Sequence, residues 1–163
     1  MRFLSNFALL LAVLFILSAC GSSAVVNKSL KELPNKDHAK FAVDRINSDA
    51  EGVPDHFLTA IKGYLNAELG EKNLLDEGST SSYKVNILVR EYRMRSGFSR
   101  VMVGALAGKD GVESVVTISD PVTGDVVGES TVSTFNVTAV AGMEDVAKMH
   151  AEEIAEFISA QIK

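Results

Sequence analysis

Cysteine usage constrains the fold of this chain more than any other feature: among 163 residues the only cysteine is Cys20. No disulfide can close within the chain, even in an oxidising compartment, so any folded domain must be held together by its own apolar core. The residues before Cys20 narrow the choice further. Arg2 is followed by an apolar run from Phe7 to Leu17 that carries no charge, and then by the small residues Ser18 and Ala19. A basic start, an apolar stretch of about 7–15 residues and a small-residue cleavage site read as a secretory signal. A membrane-spanning helix needs about 20 consecutive apolar residues. This run stops well short of that, meeting Ser18, Cys20, Gly21, Ser22 and Ser23.

The four residues Leu17-Ser18-Ala19-Cys20 resemble a bacterial lipobox. The resemblance implies that a signal peptidase recognises Leu17, Ser18 and Ala19, cuts before Cys20, and leaves Cys20 carrying a diacylglycerol thioether and an amine acylated by a fatty acid such as palmitate. One acyl chain binds a membrane only marginally, whereas two or more hold a protein there stably. Gly21 stands where an inner-membrane retention signal would place an aspartate, so the expected location is the outer membrane, facing the periplasm. The expected organisation is a signal over residues 1–19, an acylated cysteine with a flexible tether over 20–40, and a single domain over 41–163. The tether expectation rests on Ser22, Ser23, Asn27, Lys28, Lys31, Glu32, Asn35 and Lys36, polar residues with no helical stripe. A domain of about 150 residues buries roughly two-thirds of its unfolded surface, enough to fold without staples.

Periodicity supplies the elements. Phe41 to Ile46 reads as a short strand ended by the turn cluster Asn47-Ser48-Asp49. Pro54 suits the first turn of a helix, Leu58, Ile61, Leu65 and Leu69 make its apolar stripe with Phe57 and Tyr64 beside them, and Gly70 is the expected C-cap. Tyr83, Val85, Ile87 and Val89 alternate with Lys84, Asn86 and Arg90, a period of two that predicts a strand running to about Met94. Val112 to Ser119 and Val126 to Phe135 flank Asp120-Pro-Val-Thr-Gly124-Asp125, which has the chemistry of a hairpin turn. A last helix opens at Gly142, with Ala147, Ala151, Ile154, Ile158 and Ile162 as its stripe. The expected fold is α+β: a two-layer sandwich of about four mostly antiparallel strands with two amphipathic helices on one face, in the order β-α-β-β-β-α.

Little in the chain points to chemistry. The formal charge of −5 becomes −6 once Arg2, the single charged residue of the first 19, is removed with the signal. An acidic chain with no basic stripe lacks the electrostatic footprint of a nucleic-acid binder. Gly104 to Gly108 followed by Lys109 and Asp110 falls one residue short of a phosphate loop and puts a carboxylate where the hydroxyl belongs. His38, His56 and His150 lack the spacing of a zinc site and are expected as solvated imidazoles, so no metal or other cofactor is expected. There is no nucleophile elbow and no free thiol, and Glu152, Glu153 and Glu156 read as a solvated helix face. No catalytic residue is assigned. The unusual segment is Ser96 to Gly108, apolar where a polar turn is expected, with Phe98, Arg100, Met102 and Leu106 as candidate partner-contact residues. Packing against the sheet is the competing explanation, its glycines allowing close approach.

Taken in order, the lipobox at Cys20, the passage from Tyr64-Leu-Asn-Ala-Glu-Leu69 to Tyr83-Lys-Val-Asn-Ile87, the segment Ser96-Gly-Phe-Ser-Arg100 with Gly104 and Gly108-Lys109, Asp120-x-x-Thr-Gly124 and the closing helix resemble the bacterial lipoproteins grouped as domain of unknown function 4410. The resemblance implies a membrane-anchored α+β domain and brings no catalytic residues with it. The resulting expectation is a non-enzymatic envelope accessory or assembly factor. It is held to the membrane through Cys20 and works through an envelope protein partner, using the 96–108 segment and the free sheet face. A small-ligand or lipid carrier is the alternative, and it requires a pocket of roughly 300–1,000 Å³ between helices and sheet.

Overall fold

The computed structural model describes residues 20–30, 33, 38–94, 110–136 and 142–162. Among these, the elements run β1 (Cys20–Lys28), β2 (Phe41–Ser48), α1 (Asp55–Glu71), β3 (Tyr83–Arg93), β4 (Asp110–Ser119), β5 (Val126–Asn136) and α2 (Met143–Ile162). The strands form one sheet in the order β1-β5-β4-β3-β2. Pairing is antiparallel except between β2 and β3, which are parallel. The α+β class and the two helices match the sequence expectation. The expected sheet of about four strands is corrected to five strands and a mixed sheet among the described residues, in the order β-β-α-β-β-β-α.

The additional strand comes from the segment expected as a tether, and that expectation is corrected. Among its described polar side chains, Ser22 and Asn27 make cross-strand bonds. Thr134 Oγ1 donates to Ser22 Oγ at 3.2 Å, Ser130 Oγ donates to the Val25 carbonyl at 3.0 Å, and Asn27 Nδ2 donates to Glu129 Oε1 and Thr131 Oγ1, both at 3.1 Å. Beyond the strand, Leu30, Leu33 and Ala39 are buried in the core.

The core forms because the strands alternate. Tyr83, Val85, Ile87 and Val89 of β3 and Val112, Val116 and Ile118 of β4 point to the helices, while the residues between them point away. Phe57, Ile61, Leu65 and Leu69 of α1 cover the β2 side, and Ala147, Ala151, Ile154 and Ile158 of α2 cover the β5 side. Phe57, rather than Leu58, is the fully buried member of the first turn, and its ring meets Tyr92 at 5.0 Å. α1 runs one residue past Gly70, and Asn73, at φ 55°, takes the left-handed position expected of that glycine. The 120–125 turn is as expected: Asp120 Oδ1 accepts from the amides of Val122 and Thr123 at 2.8 and 3.0 Å, and Gly124 adopts φ 76°.

Sheet register places residues in rows across the strands. Val26, Ser130, Val116, Ile87 and Ile46 form one row on the helix face. Lys28, Glu129, Thr117, Asn86 and Arg45 form a row on the outer face.

Gly128 is the close approach that seats the crossing from β1. A Cβ there would lie 2.3 Å from Leu30 Cδ2, and Leu30 has no exposed surface. Overpacking of this kind costs about 1–3 kcal/mol. Gly128→Val should therefore lower the free energy of unfolding by that amount in urea titrations. Val122→Ser, at a turn position 89% exposed, should change it by less than about 0.5 kcal/mol.

Candidate functional site

The two edges of the sheet are built differently. At β2 the loop after α1 folds back on the strand: Phe41 N donates to the Leu74 carbonyl at 2.8 Å, Asp76 N donates to the Phe41 carbonyl at 2.9 Å, and Phe41 bridges Leu75. The rest of β2 carries a bulge at Asp44. Loops, bulges and charges are the usual means of blunting a strand edge. β1 is the other outermost strand, and its middle exposes Val25 at 63% and Val26 at 42%. Its charge and its bulge come only at the end, between Val26 and Lys28. An outermost strand with exposed valines is the kind of edge that partner strands pair with.

Two shallow concavities lie near these edges. One of about 360 Å³ runs between β2 and α1, lined by Asp44, Ile46, Leu58, Lys62 and Asn66, with open space over Gly63. The other, of about 470 Å³, lies on the outer sheet face among Arg45, Asn47, Asn86, Leu88, Arg90 and Glu129. Arg90 is held there by Asp49, whose Oδ2 accepts from its guanidinium at 2.5 Å. Between helices and sheet, where a carrier would keep its ligand, Phe41, Phe57, Ile61, Leu65, Ile154 and Ile158 fill the layer with no exposed surface.

Of the residues singled out from sequence, Cys20 opens β1, opposite Asn136 of β5, which in turn is opposite Asp110 of β4. Leu17, Ser18 and Ala19 lie outside the described residues, as do Phe98, Arg100, Met102 and Leu106. His38 and His56 are exposed, as expected. Among the described residues no group of three or more His, Cys, Asp or Glu side chains is arranged to hold a metal. Glu156 accepts from Lys72, the residue that follows α1, at 3.3 Å, and Glu152 lies 3.8 Å from Lys148.

His150 is a correction. It was expected as a solvated imidazole and has no exposed surface. The sequence carried a signal for this: His150 falls four residues after Val146 and four before Ile154, inside the buried stripe of α2. It sits in a polar string between α2 and the sheet. Nε2 lies 2.7 Å from Ser114 Oγ, Nδ1 lies 3.0 Å from Thr134 Oγ1, and the Thr134 hydroxyl donates to Ser22 Oγ. With Thr134 donating to Ser22, its oxygen is left to accept from Nδ1–H, and Ser114 then donates to Nε2. One chain of hydrogen bonds thus ties α2, β4, β5 and β1 together. The Ser114–His150 pair has the spacing of a nucleophile and base, but both members are closed off from solvent and the third partner is a hydroxyl, not a carboxylate. What it does is hold elements in place.

Burial pushes the His150 imidazole down to about 3 from its ordinary 6.5. Unfolded, the ring takes up a proton below pH 6.5; folded, it does so only near pH 3. The stability held by the neutral ring is fully present above pH 6.5 and is lost as pH falls from there toward 3. Its share of the loss between pH 7 and pH 5 is about 2 kcal/mol. In urea titrations across that range, wild type should show this acid slope and His150→Gln should lack it.

Similarity to known proteins enters on this geometry. The family model described as "Domain of unknown function (DUF4410)" matches residues 25–155. Its match begins inside β1, consistent with that strand belonging to the domain. Among curated proteins no sequence match is found. Two structures of a PelC dodecamer from Paraburkholderia phytofirmans, one of them a point variant, superpose with a TM-score of 0.55 at 14% identity. The alignment covers 85% of this chain and 97% of theirs. A candidate lipoprotein from Caulobacter crescentus CB15 aligns at 18% identity over 71% of this chain and 86% of its own, with a TM-score of 0.42. At these identities the PelC likeness establishes a shared fold. The family model spans most of the chain, and the chain belongs to the family of domain of unknown function 4410.

Proposed function

We propose that this chain is a non-enzymatic, lipid-anchored protein of the bacterial envelope, held at the outer membrane through Cys20 and facing the periplasm, that acts as an accessory or assembly factor by binding copies of itself and an envelope partner. The observation that carries the reading is the β1 edge, where Val25 and Val26 stand exposed on an outermost strand. The lipobox at Cys20 supports the anchor, and the dodecameric state printed for the PelC structures of the same fold supports self-assembly. Because β1 begins at Cys20 itself, an acyl group there brings one end of the sheet against the bilayer without slack. The carrier alternative retains one observation: Asn86 Oδ1 is buried without a hydrogen-bond partner beside the outer-face concavity of about 470 Å³. A co-purifying small molecule, detected by native mass spectrometry and lost in an outer-face variant such as Leu88→Arg, would favour it.

The direct test expresses the full chain in a bacterial envelope with an alkyne-tagged palmitate. Wild type should take the label, fractionate with outer membranes and, extracted in mild detergent, show a mass several times that of the protomer. Cys20→Ala should lose the label and accumulate as unprocessed precursor. Processed, membrane-bound protein from that variant would overturn the anchor, and a detergent-extracted monomer would overturn self-assembly.

A further inference from the structure

Sheet register constrains which surfaces of two copies can meet. Strand directions are fixed by the pairings: β1 is antiparallel to β5, β5 to β4 and β4 to β3, and β3 is parallel to β2, so β1 runs opposite to β2. Two ways of using the β1 edge follow. A two-fold β1-to-β1 pairing is antiparallel, so it sends the two Cys20 residues to opposite ends of the strand pair. With nine residues in β1, that separates them by roughly 26 Å along the strand at about 3.3 Å per residue. Two acylated cysteines so placed do not enter one leaflet. Setting copies side by side in the same orientation also makes an antiparallel pair, β1 against β2 of the next copy, and leaves every Cys20 at the same end.

The same register shows that these two edges fit at matching height. The covered part of β2, around Phe41, lies beyond the level of Lys28, whereas the uncovered part from Asp44 to Ser48 lies level with Ala24 to Lys28. Val26 and Ile46 share a row on the helix face, so Val26 comes level with Ile46 of the neighbouring copy and with the groove of about 360 Å³ that Ile46 and Leu58 line. One row further, each edge carries a charge of each sign: Lys28 and Glu129 on one side, Asp44 and Arg45 on the other. Within one copy Arg45, 72% exposed, bonds Asp44 at 3.2 Å and Lys28 donates to the Val126 carbonyl, so these exposed groups would exchange partners for Lys28 to pair with the neighbour's Asp44 and the neighbour's Arg45 with Glu129. Exposed pairs of this kind set register more than they add affinity.

We propose that β1 of one copy pairs antiparallel with the Asp44–Ser48 half of β2 in the next copy, Val26 seating in the Ile46–Leu58 groove, so that the chain assembles head to tail with its lipid anchors on one side. This contact is heterologous: it closes into a ring or propagates, and it does not stop at a dimer. The proposal rests on the self-assembly reading and is separable from it.

The test is disulfide trapping in membranes from cells expressing the full chain. Opposed residues of an antiparallel pair stand about 4.5–5.5 Å apart at Cα, within the range a disulfide spans. Val26→Cys combined with Ile46→Cys should give a ladder of covalent multimers extending beyond the dimer on mild oxidation, and neither single variant should give any. Val26→Lys, with its charge in the groove and its side chain already part-exposed, should convert the detergent-extracted oligomer to a folded monomer with the circular dichroism spectrum of wild type. A dimer from Ala24→Cys alone, at the centre of β1 where a two-fold pair sets the residue opposite itself, would overturn the proposal in favour of two-fold pairing. Absence of the ladder while uncrosslinked wild type still runs as an oligomer would overturn the edge assignment and leave self-assembly standing. A wild-type monomer would overturn both.

Discussion

The structure depends on one apolar layer, the contact between the two helices and a single face of the sheet. A chain with one cysteine has no covalent staple, so the fold's stability is concentrated where Phe57, Ile61, Leu65, Ile154 and Ile158 meet Phe41, Val85, Val89 and Ile118. Using both helices on the same face has a consequence for function. The opposite face and the outermost strands are left to be covered by something else or to stay in solvent. Among the described residues this is resolved unevenly: a loop folds back over the start of β2, and none is placed over β1. Evolution blunts edges because an open one recruits strands, so an edge left open beside one that is covered is a place to look for a partner.

The layer is not chemically uniform. Beneath α1 it is apolar, whereas beneath α2 it carries Ser114, Ser130, Thr134 and His150, all buried. A buried imidazole with each nitrogen matched to a hydroxyl loses little by burial, but its geometry admits one placement of α2 on β4 and β5. The string ends on Ser22 of β1, so the strand that would carry the lipid is tied to the core by side chains as well as by its backbone ladder. This also explains why a Ser–His pair at hydrogen-bonding distance carries no catalytic proposal: the distance is right, but access and a carboxylate partner are missing.

Most of the fold was legible in the sequence because most of it follows periodicity. The period of two from Tyr83 to Arg90, the Asp120–Asp125 turn and the stripe of α1 appear within a residue or two of where they were expected. Two elements were illegible for the same physical reason, that polarity was taken for exposure. β1 is short of large apolar residues and rich in serine, and its stability comes from pairing with a partner more than a hundred residues away, which local pattern does not encode. His150 lies at a core position of its helix, but its type outweighed its spacing, and the two hydroxyls that satisfy it sit on strands remote in sequence. The parallel pairing of β2 with β3 is likewise set by α1 lying between them as a crossover. Of the candidate site, Cys20 was legible as a motif, whereas the edge that begins at Cys20 became visible only with the sheet order.

These elements together define how an anchored copy would be oriented. A tethered domain would sample many orientations above a bilayer, and a contact between copies would have to overcome that freedom. A domain acylated at the residue where its first strand starts would already have lost most of it, because the strand direction, the sheet and both edges would be fixed relative to the point of attachment. Confining copies to one leaflet with their sheets similarly directed raises the effective concentration of one edge for the other without any added contact area. A modest interface, Val26 in a shallow groove beside exposed charges, would then be sufficient where it would be weak in solution. The direction of β1 relative to β2 is what makes the arrangement self-consistent, since only opposed edge strands allow identically oriented copies to pair antiparallel.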